Sequence, residues 1–131
     1  MSPTDTFMPS ILATDNISYP PIEQRIKQVE KIMGPEMTRM LIQQFQAYGP
    51  QQIAALQQSL SDGDTESVRQ QAHQLKGESL QIGANQLSSL CEKVERLAQQ
   101  GKIEEAPANL AQIETEWAQV QAALTQVGSY D

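Results

Sequence analysis

Apolar residues recur at intervals of three and four along most of this 131-residue chain, in runs punctuated by glycine and proline. That spacing puts one apolar stripe on a single face of an α-helix, and no period-two alternation competes with it. Pro21 can open a helix because its missing N–H is not needed in a first turn. From there Ile22, Ile26, Val29 and Met33 make a short first stripe that stops at Gly34-Pro35. Met37, Met40, Leu41, Phe45 and Tyr48 mark a second, which Ile53, Leu56 and Leu60 continue beyond Gly49-Pro50. Proline at position 50 removes one i→i−4 hydrogen bond, so this stretch reads as one kinked helix or as two in succession.

The run Ser61-Asp62-Gly63-Asp64 reads as a turn, with Asp64 as N-cap and Glu66 in the first turn of a new helix, where the dipole favours an acid. Val68, Ala72, Leu75, Ser79 and Ile82 form its inward stripe, ending near Gly83. Leu87, Cys91, Val94 and Ala98 form the next, up to Gly101, and Leu110, Ile113, Trp117, Val120, Leu124 and Val127 follow Pro107. Short connections between such stripes place consecutive helices antiparallel around one core. The expected fold is all-α: an up-and-down antiparallel four-helix bundle with a short additional N-terminal helix. One domain is expected over residues 21–128. Four of the seven prolines fall in the first 21 residues, among Ser, Thr, Asp and Asn, and residues 1–20 are expected to be a flexible N-terminal tail.

A formal net charge of -7 sets the surface against the phosphates of nucleic acid and of anionic lipid. The single cysteine, Cys91, excludes an internal disulfide and a multi-cysteine zinc site, and is read as a small buried side chain. Neither a basic-then-apolar leader nor a run of 18 apolar residues is present, and a monomer in the cytoplasm is expected, with no membrane and no nucleic acid among its partners. Catalytic patterns are lacking as well. A di-iron bundle requires paired Glu-x-x-His motifs, and the only histidine, His73, has Gln70 at the glutamate position. No glycine-rich phosphate loop or Gly-x-Ser-x-Gly elbow occurs. No metal site and no cofactor of its own is expected.

The chemistry of the chain concentrates on His73. With about 100° per residue and the buried stripe centred on Val68, Ala72, Leu75 and Ser79, its imidazole points to solvent. Arg69 at i−4 and Lys76 at i+3 share its flank, Gly77 at i+4 lies beside it, and the partly exposed Leu80 at i+7 forms a rim. A mid-helix glycine costs on the order of 1 kcal/mol against alanine, so its presence implies a gain elsewhere, here a clear approach to the ring. Neutral imidazole is a good nitrogen nucleophile near neutral pH, and a cation on its flank neutralises phosphoryl oxygens. On these grounds the set suits reversible phosphorylation by a second protein. The plain alternatives are that Arg69 and Lys76 are solvated charges, and that Met33, Met37 and Met40 belong to the core or extend a docking patch with Leu80.

The run AHQLKGESLQIGANQLSSLCEKVERL, from Ala72 to Leu97, resembles the signature of histidine-containing phosphotransfer (HPt) domains: a His-x-Leu-Lys-Gly core, a small residue, Gly-Ala before the next helix, then Leu, Cys and a Val-Glu pair. The likeness extends upstream from Met40 to Asp64 and covers most of residues 22–127. It implies a phosphocarrier without catalytic activity of its own, working in a two-component phosphorelay. His73 would be the phosphoacceptor, Lys76 the residue near the phosphoryl group and Gly77 the residue that leaves the ring accessible. Arg69 and Leu80 would lie on the docking rim. The implied partners are response-regulator receiver domains and a hybrid sensor histidine kinase, with the Mg²⁺ and the aspartate on the receiver. Glu78 departs from the pattern, which has a small residue there, and is expected to bear on partner choice or packing rather than on chemistry.

Two other readings share these residues. The phosphoacceptor domain of a chemotaxis-type kinase has the same His-x-x-Lys-Gly core but is attached to an ATP-binding module, which this sequence does not contain. A non-phosphorylated adaptor would use the same face, but has no need of an exposed nucleophile beside a cleared helix position.

Overall fold

The computed structural model describes residues 20–128, and the segment read from the sequence as a tail lies outside them except for Pro20. The chain forms α1 (Pro20–Met33), α2 (Pro35–Asp62), α3 (Thr65–Gln81), α4 (Asn85–Gln99), a 3₁₀ turn at Ile103–Glu105, and α5 (Pro107–Gly128). No strand occurs among the described residues. Helices α2 to α5 each pack on the next, and α5 returns to α2, closing a four-helix bundle with α3 against α4 as its most extensive contact. The short α1 lies along α2 and touches α5. This is the expected architecture, with α1 starting one residue earlier than Pro21.

Local chemistry sets the helix ends. Helix α2 stops at Gly63, whose φ of 71° lets its N–H and that of Asp64 turn back to Leu60 and Ser59. Asp64 then caps α3, its carboxylate accepting from the Ser67 N–H at 3.2 Å and from the Ser67 hydroxyl at 2.7 Å. Gly83, at φ 83°, turns the chain from α3 into α4. A Cβ there would also lie 2.5 Å from the Pro21 carbonyl oxygen, so this turn is where α1 rests directly on the bundle.

Helix α2 runs unbroken through Pro50. The residue before a proline is normally pushed out of the α region by its own Cβ, and Gly49 has none. The space is filled from outside: a Cβ on Gly49 would overlap the six-membered ring of Trp117 on α5. That indole also packs on Phe45, ring centroids 5.2 Å apart and planes at 51°. Gln46 donates to Thr125 and Gln57 to Glu114, holding the same two helices along their length.

The core contains the expected stripes of α3 and α4: Val68, Ala72, Leu75 and Ser79, then Leu87, Cys91, Val94 and Ala98. Leu110, Ile113, Val120 and Leu124 of α5 are buried too, with Trp117 and Val127 packed partly against them. The first half of α2 departs from the reading. Its inward face is Thr38, Ile42, Phe45 and Gly49, whereas Met37, Met40 and Tyr48 are about half exposed, as is Met33 at the end of α1. Apolar residues occupy both sides of this stretch, and packing against α5 chose the side holding Ile42 and Phe45.

Candidate functional site

Helix α3 buries Ala72 completely and turns the next residue outward: the His73 side chain is 63% exposed. The structure therefore bears out the solvent-facing imidazole. Gly77, one turn further, has open space around the position of a missing Cβ. Close packing within the protein thus gives no reason for glycine at this position. Leu80 is exposed on the same side.

The imidazole is held by a residue that the sequence reading did not single out. Glu95 of α4 reaches the His73 Nδ1 with Oε2 at 2.8 Å, and its Oε1 takes the Lys76 ammonium at 2.8 Å. Its side chain is only 8% exposed. The signal was present in the spacing: Glu95 lies four residues after Cys91 and one after Val94, on the inward face of a strongly amphipathic helix. A carboxylate on a buried stripe requires partners, and the cation and ring of α3 are those partners. Ser88 adds a tether between the helices by donating to the Lys76 carbonyl at 3.2 Å.

Burial raises the Glu95 carboxyl, and the hydrogen bonds from Lys76 and His73, with their charge attraction, outweigh it, leaving the group below its usual range. Lys76 is shifted up, chiefly by its hydrogen bond to Glu95. Both charges are thus firmly present near neutral pH.

Arg69 is engaged elsewhere. Its guanidinium forks onto Glu66, with contacts of 3.1 and 2.6 Å, so it stands on the flank of His73 but is committed to its own helix. Glu78 lies on the other side of α3, accepting from Gln74 and lining a groove of about 200 Å³ with Leu41 and Tyr48. Cys91 is fully buried beneath the site, and burial pushes its thiol up to about 12. No group of three or more His, Cys, Asp or Glu gathers to hold a metal ion among the described residues, and no helix among them is long and apolar enough to cross a membrane.

The described residues thus form a helical bundle that presents one outward imidazole, backed by a buried carboxylate and flanked by an open helix position. Residues 40–123, more than half of the chain, match the family model of the Hpt domain, and the protein belongs to that family of histidine phosphotransfer modules of phosphorelays. Its fold is also that of the crystal structure of histidine-containing phosphotransfer protein B (HptB) from Pseudomonas aeruginosa PAO1. The two share 27% sequence identity at a TM-score of 0.82, over 87% of this chain and 99% of the other. No curated protein matches the sequence.

Proposed function

We propose that this protein accepts a phosphoryl group on Nε2 of His73 from the phosphoaspartate of one receiver domain and delivers it to the aspartate of another, in a relay headed by a hybrid sensor histidine kinase. The observation that carries this reading is the two-sided environment of the ring. Nδ1 meets a buried carboxylate, while the ring as a whole stands open to solvent. In neutral imidazole one nitrogen carries the proton and the other the lone pair, and a carboxylate at Nδ1 favours the proton there. The lone pair then belongs to Nε2, the outer nitrogen.

Transfer to the protein is an in-line displacement. The Nε2–P bond forms as the bond from phosphorus to the aspartyl oxygen breaks, the electron pair leaves with the carboxylate, and the proton stays on Nδ1. Delivery is the reverse, with an aspartate as nucleophile. Catalysis rests on positioning and charge neutralisation. In this reading the Mg²⁺ that neutralises the phosphoryl group in flight belongs to the receiver, and this chain acts as a monomeric cytoplasmic phosphocarrier with no catalytic activity of its own. The open space over Gly77 admits the receiver's active site. Exposed Leu80, Met37, Met40 and Tyr48 supply apolar area that a docking partner can cover.

The test is phosphotransfer from an isolated, labelled receiver. The label should move to this protein as an acid-labile, base-stable phosphoramidate and be absent in His73→Gln. Labelling that persists in His73→Gln would overturn the site, and failure of receivers from the source genome to label the wild type would overturn the relay.

A further inference from the structure

Helix α3 has two flanks beside His73. One faces α4 and carries Lys76, bound to Glu95. The other faces α2 and carries Glu78, five residues beyond the histidine. Here the two helices leave a groove of about 200 Å³, lined by Leu41, Phe45 and Tyr48 from α2 and by Glu78 and Gln81 from α3. Phe45 is buried, and Tyr48 stands half exposed.

The other acidic side chains of α3 and α4 are engaged. Glu66 takes Arg69, Glu92 takes Arg96 and Glu95 takes Lys76, while Asp64 caps the start of α3. Glu78 pairs with no cation among the described residues. It is partly buried and accepts from the Gln74 amide at 3.4 Å, a weak hydrogen bond by its length. The α2 residues that line the groove supply no charge, for Met40 to Ser61 is a run without one. A carboxylate in an apolar groove, with its hydration reduced and no counter-charge, favours a cation from outside. A lysine or arginine side chain suits both parts of the groove: its aliphatic stem can lie along Leu41 and Tyr48 while its charged head meets Glu78 and the face of the tyrosine ring.

The groove falls within the area that a docked protein covers. A rise of about 1.5 Å per residue puts Glu78 about 7.5 Å from His73 along α3. A standard interface of about 800 Å² per partner reaches roughly 16 Å from its centre.

Resting on the phosphocarrier reading above, we propose that Glu78 selects among receiver domains by pairing with a lysine or arginine at the edge of the receiver's docking surface. Receivers with a cation at that place exchange phosphoryl groups with His73 faster than receivers with a neutral or acidic residue there. Glu78 is a specificity residue and takes no part in the displacement. An acid where the family pattern has a small residue thus narrows the choice of partner.

The experiment is a charge swap on the whole protein with Glu78→Gln and Glu78→Lys, using the phosphorylated receiver of the source genome that labels the wild type fastest. Below saturation, Glu78→Gln should slow transfer by about threefold, the scale of a partly exposed ion pair. Glu78→Lys should slow it by about tenfold or more, because it sets like charges together. At saturating receiver the rates should match the wild type, since the group acts on docking and not on chemistry, and both losses should shrink at high salt. The lysines and arginines around the receiver's aspartate are then changed to glutamate one at a time. One such variant should be slow with the wild type and return to within about threefold of the original rate with Glu78→Lys, the mark of two charges that act as a pair.

Transfer unchanged in Glu78→Lys, or slowed equally for every receiver with no charge reversal restoring it, would overturn the inference. So would an altered oligomeric state of Glu78→Lys in analytical ultracentrifugation, which would give the groove to a second copy of this chain. Receivers that bind with an affinity dependent on Glu78 in calorimetry but pass no label would overturn the carrier reading alone, and receivers that neither bind nor label would overturn both.

Discussion

Gly77 sets stability against function in a way that can be measured. The residue lies in the interior of α3, exposed, and a Cβ built on it meets no atom within 4 Å. Gly77→Ala therefore introduces no clash and removes the backbone entropy penalty of a mid-helix glycine, a gain of about 1 kcal/mol. For a domain of this size that corresponds to a rise in melting temperature of about 4 °C. A longer side chain, as in Gly77→Gln, keeps most of the propensity gain but fills the space beside the imidazole, and should slow transfer from a phosphorylated receiver by about tenfold or more, as expected when reacting groups are displaced by about an ångström. Calorimetry gives the first quantity and single-turnover transfer kinetics the second. The expected pattern is a stabilised protein that transfers poorly. A lower melting temperature for Gly77→Ala would refute the claim that the position is free of packing demands, and unchanged transfer in Gly77→Gln would refute its role in access.

At Gly49 the outcome is the opposite. Gly49→Ala forces the Trp117 ring to move and should cost about 1–3 kcal/mol in urea unfolding, as overpacking of a filled site does; a neutral result would show that the α2–α5 contact is loose. Because burial pushes the Cys91 thiol up to about 12, a disulfide reagent at pH 8 should modify it only as fast as the protein unfolds, and rapid labelling of the native protein would contradict that burial. The folded Glu95 carboxyl sits below its ordinary value of 4.5, so its contribution to stability is complete above that pH and is lost as pH falls through the lower folded value. Acid denaturation should consequently be less steep below about pH 4.5 in Glu95→Gln than in the wild type, and parallel curves would show that the carboxylate gains nothing from Lys76 and His73.

Most of the architecture was legible in the order of residues because it follows from short-range rules. Helices α3 and α4 each carry one main apolar stripe, so periodicity identified the apolar residues of their buried faces, though not Ser88 and Glu95 beside them on α4. The turn chemistry of Gly63 with Asp64 and of Gly83 marked where they begin and end. The outward direction of His73 followed from the same rotation of about 100° per residue. Helix α2 shows where such reasoning stops. With Met37, Met40, Leu41, Ile42, Phe45 and Tyr48 distributed around much of its circumference, no local pattern selects a face, and Pro50 leaves its continuity open. The ring of Trp117, some seventy residues later, settled both by packing over Gly49 and against Phe45.

The candidate site divides along the same line. Sequence by itself determined the outward imidazole, the open position at Gly77 and the lysine on the same helix, because all three lie within two turns of one helix, where spacing alone sets direction. Which partner Lys76 takes, and what stands behind the imidazole, depended on a second helix. Glu95 is 22 residues from His73 and meets it only because the Gly83 turn folds α4 back against α3 at a register that brings the carboxylate between ring and ammonium. A charge that far along the chain has no fixed relation to the histidine until the helices pack, and it is their packing that sets a buried glutamate against one nitrogen of the ring and the ammonium of Lys76.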